Sequence, residues 1–147
     1  MIAAEAVLRA VHGVLAADDA LAGLLGGPRV HEHVPARARP PYLSLAVAVQ
    51  RDWSTATEGG AEVEIEVTSW VEASRLAPLA AIQARVAAAV AFETLTRAEH
   101  APGHAPGDAP GFSLVNVEPL TTTIERRPAD ELLVGRQRFR IVCEPQE

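Results

Sequence analysis

Two stretches of this chain alternate charged and aliphatic residues with a period of two, and they carry opposite signs. In "AEVEIEVTSWVE", Ala61 to Glu72, the carboxylates Glu62, Glu64 and Glu66 are interleaved with Val63, Ile65 and Val67. In "LLVGRQRFRIVCE", Leu132 to Glu144, Arg136, Arg138 and Arg140 are interleaved with Gln137, Phe139, Ile141 and Cys143. Successive side chains on a strand point to opposite faces, so each stretch reads as a strand with one charged and one largely apolar face. An acidic strand and a basic strand in one small domain predict a cross-strand ladder, Glu62, Glu64 and Glu66 facing Arg136, Arg138 and Arg140. Each exposed pair would contribute only about 0.2–1 kcal/mol, while keeping both rows off the core. Residues two apart on a strand are spaced along a line, roughly 7 Å per step. A metal ion or an acid–base pair needs groups that converge on a point, so the spacing favours a structural surface over either.

The remaining pattern surrounds these strands with helices. Val7, Leu8, Val11, Val14 and Leu15 recur at helical intervals. Asp18 and Asp19 can cap a short second helix bearing Leu21, Leu24 and Leu25, which Gly26-Gly27-Pro28 ends. A short strand is expected over Val30 to Val34, then the loop "PARARPP", then a strand with Leu43, Leu45, Val47 and Val49 on one face. From Ser74 to about His100 the spacing predicts one long Ala-rich helix, starting at Pro78, with Leu76, Leu79, Ala80, Ile82, Val86, Val90 and Leu95 as its apolar stripe and Gln83, Arg85 and Glu93 off it. The segment Ala101 to Gly111 repeats Ala-Pro-Gly three times and reads as a mobile loop. Phe112 to Arg127, interrupted by Pro119, and Leu132 to Glu144 close the chain as a hairpin. The expectation is a single α+β domain over residues 1–147, a mainly antiparallel sheet packed against an N-terminal helix and one long Ala-rich helix, in two layers.

Composition narrows the chemistry. The net charge is −6, and all 13 basic residues are arginine; a chain that grips phosphates would show a basic excess or stripe. The one cysteine, Cys143, cannot form an internal disulfide and falls on an apolar face, as a small core residue would. The N-terminus has helical periodicity with Glu5 inside it, and no apolar run reaches membrane-spanning length, so the chain reads as soluble and made in the cytoplasm. His31 and His33 would share a strand face without a third ligand in view, and His100 and His104 flank the Ala-Pro-Gly loop. No dinucleotide, P-loop or zinc-ribbon spacing occurs. The sequence points to no catalytic residues, no cofactor and no metal.

The run "PPYLSLAVAVQRDWSTATEGGAEVEIEVTSWVE" resembles a family of phage tail-completion, or tail-terminator, proteins. The matching features are an aromatic-led strand after proline, then Asp52-Trp53-Ser54-Thr55 with Thr57 and a glycine turn, then an alternating strand ending in Ser69-Trp70. The family's comparable pair usually has the tryptophan first. The flanking helices and the closing strand fit as well. The resemblance implies a structural virion protein with no enzymatic role: a subunit of a homo-hexameric ring, assembled in the host cytoplasm, at the head-proximal end of a phage, prophage or gene-transfer-agent tail. Its implied partners are other copies of itself, the tail tube protein and the head–tail connector or stopper protein, with DNA only passing through the channel and no membrane.

Two further expectations concern that ring. The polar loop from Asp52 to Gly60 displays an aromatic, Trp53, and with Ser54, Thr55, Thr57 and Glu58 reads as an assembly element. Glu58, together with Glu62, Glu64 and Glu66, would give a channel wall that repels DNA. The competing classes are a small-molecule-binding α+β domain with Trp53 and Trp70 in a pocket, and a carboxylate-based hydrolase using the glutamate row.

Overall fold

The computed structural model describes residues 2–52, 60–99 and 112–145. Helices α1 (Ile2–Ala16) and α2 (Asp19–Leu25) lead into strands β1 (Val30–His31), β2 (Tyr42–Asp52) and β3 (Ala61–Glu72). Helices α3 (Leu76–Ala89) and α4 (Phe92–Glu99) precede β4 (Phe112–Arg127) and β5 (Leu132–Pro145). One five-stranded sheet runs β1-β2-β3-β5-β4, and the fold is α+β as the periodicities predict. All pairings are antiparallel except β1 with β2, which is parallel.

The helices share one side of the sheet. Val7, Val11, Val14 and Leu15 of α1 and Leu79, Ile82 and Val86 of α3 join Leu43, Leu45, Val63, Ile65, Val67, Phe139, Ile141 and Cys143 in one buried cluster. These strand residues are the apolar partners of the alternating pattern, so period-two spacing assigned most of the sheet's share of the core. Burial also raises the Cys143 thiol above its ordinary pKa, as befits a residue that packs.

Local chemistry fixes the helix ends. The Asp18 carboxylate caps α2 by accepting from the Leu21 N–H at 2.8 Å, and Gly26 closes it in the left-handed region at φ 78°. The same carboxylate receives a forked contact from Arg85 on α3, with Nη2 donating at 2.7 Å and Nε at 3.1 Å. One acidic side chain therefore starts α2 and ties it to α3. The Arg29 guanidinium donates to the carbonyls of Arg39 and Pro41, at 3.3 and 3.4 Å, and pins the Pro-Arg-rich loop.

Four expectations need correction. The first strand ends at His31, so His33 is exposed in a loop and the two histidines share no strand face. The long Ala-rich helix is two helices, broken at Val90 and Ala91. Val90 and Leu95 are both buried, and the break lets α4 pack against α1 and β4. Within α3 the facing also differs: Gln83 is buried, whereas Ala80 and Leu76 are exposed. Finally, β2 skips a residue between Val47 and Val49. This β-bulge leaves Leu43, Leu45 and Val47 on the helix side and turns Val49 to the other side, opposite Glu64.

Gln83 reaches the sheet because Gly135 lies beneath it. A Cβ at Gly135 would meet Gln83 Nε2 at 2.4 Å and Leu79 Cδ1 at 3.0 Å. The approach lets Gln137 Nε2 donate to the Gln83 carbonyl at 2.9 Å, and Gln83 Nε2 to the Thr123 carbonyl at 3.3 Å. Two buried glutamines thereby bond α3 to the sheet and fix how it sits there. The Ala101–Gly111 segment, with His104, and His100 before it, lie outside the described residues.

Candidate assembly surface

The sheet face away from the helices carries charge in columns that are mainly of one sign per strand, with Arg127 on β4 and Glu144 on β5 as the exceptions. Arg51 stands on β2, Glu62, Glu64 and Glu66 on β3, Arg136, Arg138 and Arg140 on β5, and Glu118 and Glu125 on β4. Positive and negative columns alternate across four adjacent strands.

The register sets the pairs. Glu64 lies opposite Arg140 and Glu66 opposite Arg138, while Arg136 faces Thr68 and Glu62 faces Val142. The ladder is therefore offset by one rung from a one-to-one match of the two rows. Arg138 Nη2 donates to Glu66 at 3.0 Å and its Nη1 lies 3.7 Å from Glu64. Arg140 Nε donates to Glu62 diagonally, and Arg140 Nη1 reaches Glu118 on β4 at 3.4 Å. Arg136 turns mainly outward to Glu125, at 2.6 Å. Arg51 completes the lattice from the other side, donating to Glu62 and, at 3.0 Å, to Glu64.

The β2 bulge makes the last contact possible. With unbroken alternation Arg51 would share the helix side with Leu43, Leu45 and Val47. The extra residue at Ala48 turns it over, directly opposite Glu62.

The glutamates are less exposed than a free charged row would be. Glu62 is only 4% exposed and Glu64 8%, because the arginine stems lie over them. Burial, the largest single influence on Glu62, opposes its ionised form. Hydrogen bonds from Arg140 and Arg51, with their charge attraction, outweigh it and hold the carboxyl below its usual range. The Arg136 hydrogen bond does the same for Glu125. A lattice of this kind orients strands and offers charges at fixed spacing. Each of the five carboxylates, Glu62, Glu64, Glu66, Glu118 and Glu125, has an arginine beside it.

Beyond the lattice lies an aromatic strip that the residue pattern did not reveal. Tyr42 and Trp70, paired across β2 and β3, stack with centroids 6.0 Å apart, and His31 meets Tyr42 edge-on at 5.9 Å. The Arg127 guanidinium lies over the Trp70 ring at 5.6 Å, and Trp70 Nε1 donates to Ser44 Oγ at 2.9 Å. Arg51, Glu118 and Glu125 were likewise missed as lattice members, since bulges in β2 and β4 shift them out of simple alternation.

Of the residues expected at an assembly interface, the structure brings together Glu62, Glu64, Glu66, Arg136, Arg138 and Arg140 on one face. Asp52 ends β2 on the helix side, opposite Ala61. Trp53, Ser54, Thr55, Thr57 and Glu58 lie outside the described residues.

Comparison with known proteins gives two findings. A family described as tail completion protein gp17 matches residues 9–144. Among solved structures, a chain from the "virion of native gene transfer agent (GTA) particle" superposes with a TM-score of 0.69 at 27% identity. That similarity covers 93% of this chain and 94% of the other. No curated protein matches.

Proposed function

The chain belongs to the tail completion protein gp17 family, and from that premise we propose that it is the repeating subunit of a homo-hexameric ring that caps the tail tube and joins it to the head connector. It is a phage tail structural protein, similar over nearly its whole length to a component of a gene transfer agent particle. The ring would sit at the head-proximal end of the tail, after assembly of its subunits in the host cytoplasm.

The single observation that carries this reading is the column lattice on the face without helices. Charges held at fixed spacing set the register and choice of a partner more than they add affinity. The same geometry supports a structural over a hydrolytic role for Glu62, which is held ionised between two guanidinium groups. In the ring, the loop from Asp52 to Gly60 would contact the tube or the connector. The lattice also narrows the channel argument: Glu62, Glu64 and Glu66 are each matched by arginine, so any repulsion of passing DNA falls chiefly to Glu58.

Size-exclusion chromatography with light scattering tests the ring. The expected particle is six copies of the 15.6 kDa chain, about 94 kDa, formed alone or on the purified tail tube. Tails made without the protein should be complete in tube yet unjoined to heads. A chain that stays monomeric in both settings, or normal particles in its absence, would overturn the proposal.

A further inference from the structure

The lattice has a property that one copy leaves unused: its outermost charges are complementary. The β2 edge carries one open-side charge, Arg51, and the β4 edge carries Glu118 and Glu125, with Arg127 only at its end. In addition, β2, β3, β5 and β4 are successively antiparallel. β4 therefore runs opposite to β2, and copies set side by side in one orientation present β4 of the first to β2 of the next as an antiparallel pair. We infer that neighbouring copies join edge to edge in this way, extending one sheet and its alternating charge columns from subunit to subunit. The inference deepens the ring reading and rests on it: a head-to-tail contact of one type closes into a ring when its rotation allows.

Both edges show features of a surface meant to be covered. Among the described residues β1 shields the outer edge of β2 only at Leu43 and Ser44, and Ala46, Val47 and Ala48 are exposed. On β4, every residue from Leu120 to Arg126 is exposed. That stretch contains Thr121, Thr122, Thr123 and Ile124, four consecutive β-branched residues, downstream of the bulge at Leu120 and of Pro119. A regular, β-branched edge without proline, bulge or lysine is a template for another strand. Ile124, 46% exposed, and Val47, 37% exposed, both sit on the helix side, beyond the reach of the core.

Facing selects the register. If Ile124 pairs with Val47 of the next copy, Glu125 meets Ala46 on the open side. Past the bulge at Ala48, Thr123 meets Val49 and Thr121 meets Arg51, again on the open side. The next open-side residue of β4 beyond Thr121 is Glu118, which falls diagonal to Arg51 of the next copy. One register thus sets Ile124 against Val47 on the helix side and Glu118 diagonal to Arg51 on the open side.

The test uses the full chain with Cys143→Ala and adds Val47→Cys and Ile124→Cys, separately and together, with a short bismaleimide cross-linker. The doubly substituted chain should give a ladder of covalent oligomers, and each singly substituted chain should stay a monomer on a denaturing gel. Dimers from either single variant would mean like edges meet, and would overturn the inference. Ring-sized particles by light scattering without a ladder would also overturn it while leaving the ring reading intact; absence of any assembly would sink both. Independently, Ile124→Lys should preserve the melting temperature and weaken assembly by about tenfold or more, because a lysine would be buried at the joint. Unchanged assembly would contradict the inference.

Discussion

Arg51 stands directly opposite Glu62 because the strand that carries it skips a residue at Ala48. From that place it donates to Glu62 and Glu64, while Arg140 holds Glu62 from the other side. Glu62→Ala should therefore destabilise the fold by about 1–2 kcal/mol, leaving two guanidinium groups side by side without their shared acceptor. The loss stays below that for a fully buried pair, since Arg51 keeps 52% and Arg140 31% of its side chain exposed. Arg51→Ala should cost less, as Arg140 and Arg138 still serve the carboxylates. Urea midpoints of the two variants check the order; equal or reversed losses would contradict the shared-acceptor arrangement.

Acid should expose the same groups. Asp18, held low mainly by its Arg85 hydrogen bond, and Glu62, held low against burial by Arg140 and Arg51, both have folded-state pKa values below the unfolded ones. Their contribution is complete above the ordinary carboxylate range and lost as pH falls through the depressed values, between roughly pH 5 and pH 2. Melting temperatures across that window should fall more steeply for the native chain than for Asp18→Asn. Parallel curves would show that Asp18 is not a linked group.

Gly135 is the position where a small change should do most harm. Gly135→Val would drive into Gln83 and Leu79, disturbing the Gln83–Gln137 and Gln83–Thr123 bonds, at a cost of about 1–3 kcal/mol. Gly135→Ala should cost less, since the amide end of Gln83 can move. Thermal unfolding of both variants measures the difference.

Trp53 separates assembly from folding. If the segment after β2 contacts a tail partner, Trp53→Ala should leave the melting temperature within about 1 °C of the native value, an effect too small for a lost core side chain. It should also block tail completion in a complementation assay. A large drop in melting temperature with normal completion would make Trp53 a lid on the sheet instead.

On β3 and β5, facing followed from the residue pattern alone. A period of two assigns Glu62, Glu64 and Glu66 to one side and Val63, Ile65 and Val67 to the other, whatever strands lie beside them. Local chemistry likewise revealed the Asp18 cap and the Gly26 stop, which depend on residues within one turn. Tertiary structure decided which charges meet, because register and neighbour order depend on residues far apart in the chain. Hence the ladder is offset by one rung, β1 runs parallel to β2, and Arg51 belongs to the lattice through a bulge that no local residue announces. The break at Val90 and Ala91, without proline or glycine, likewise follows from where Leu95 finds a surface to bury against, and Gln83 is buried because Gly135, far downstream in the chain, leaves room for it. Alternation specifies a face; only packing specifies what that face touches.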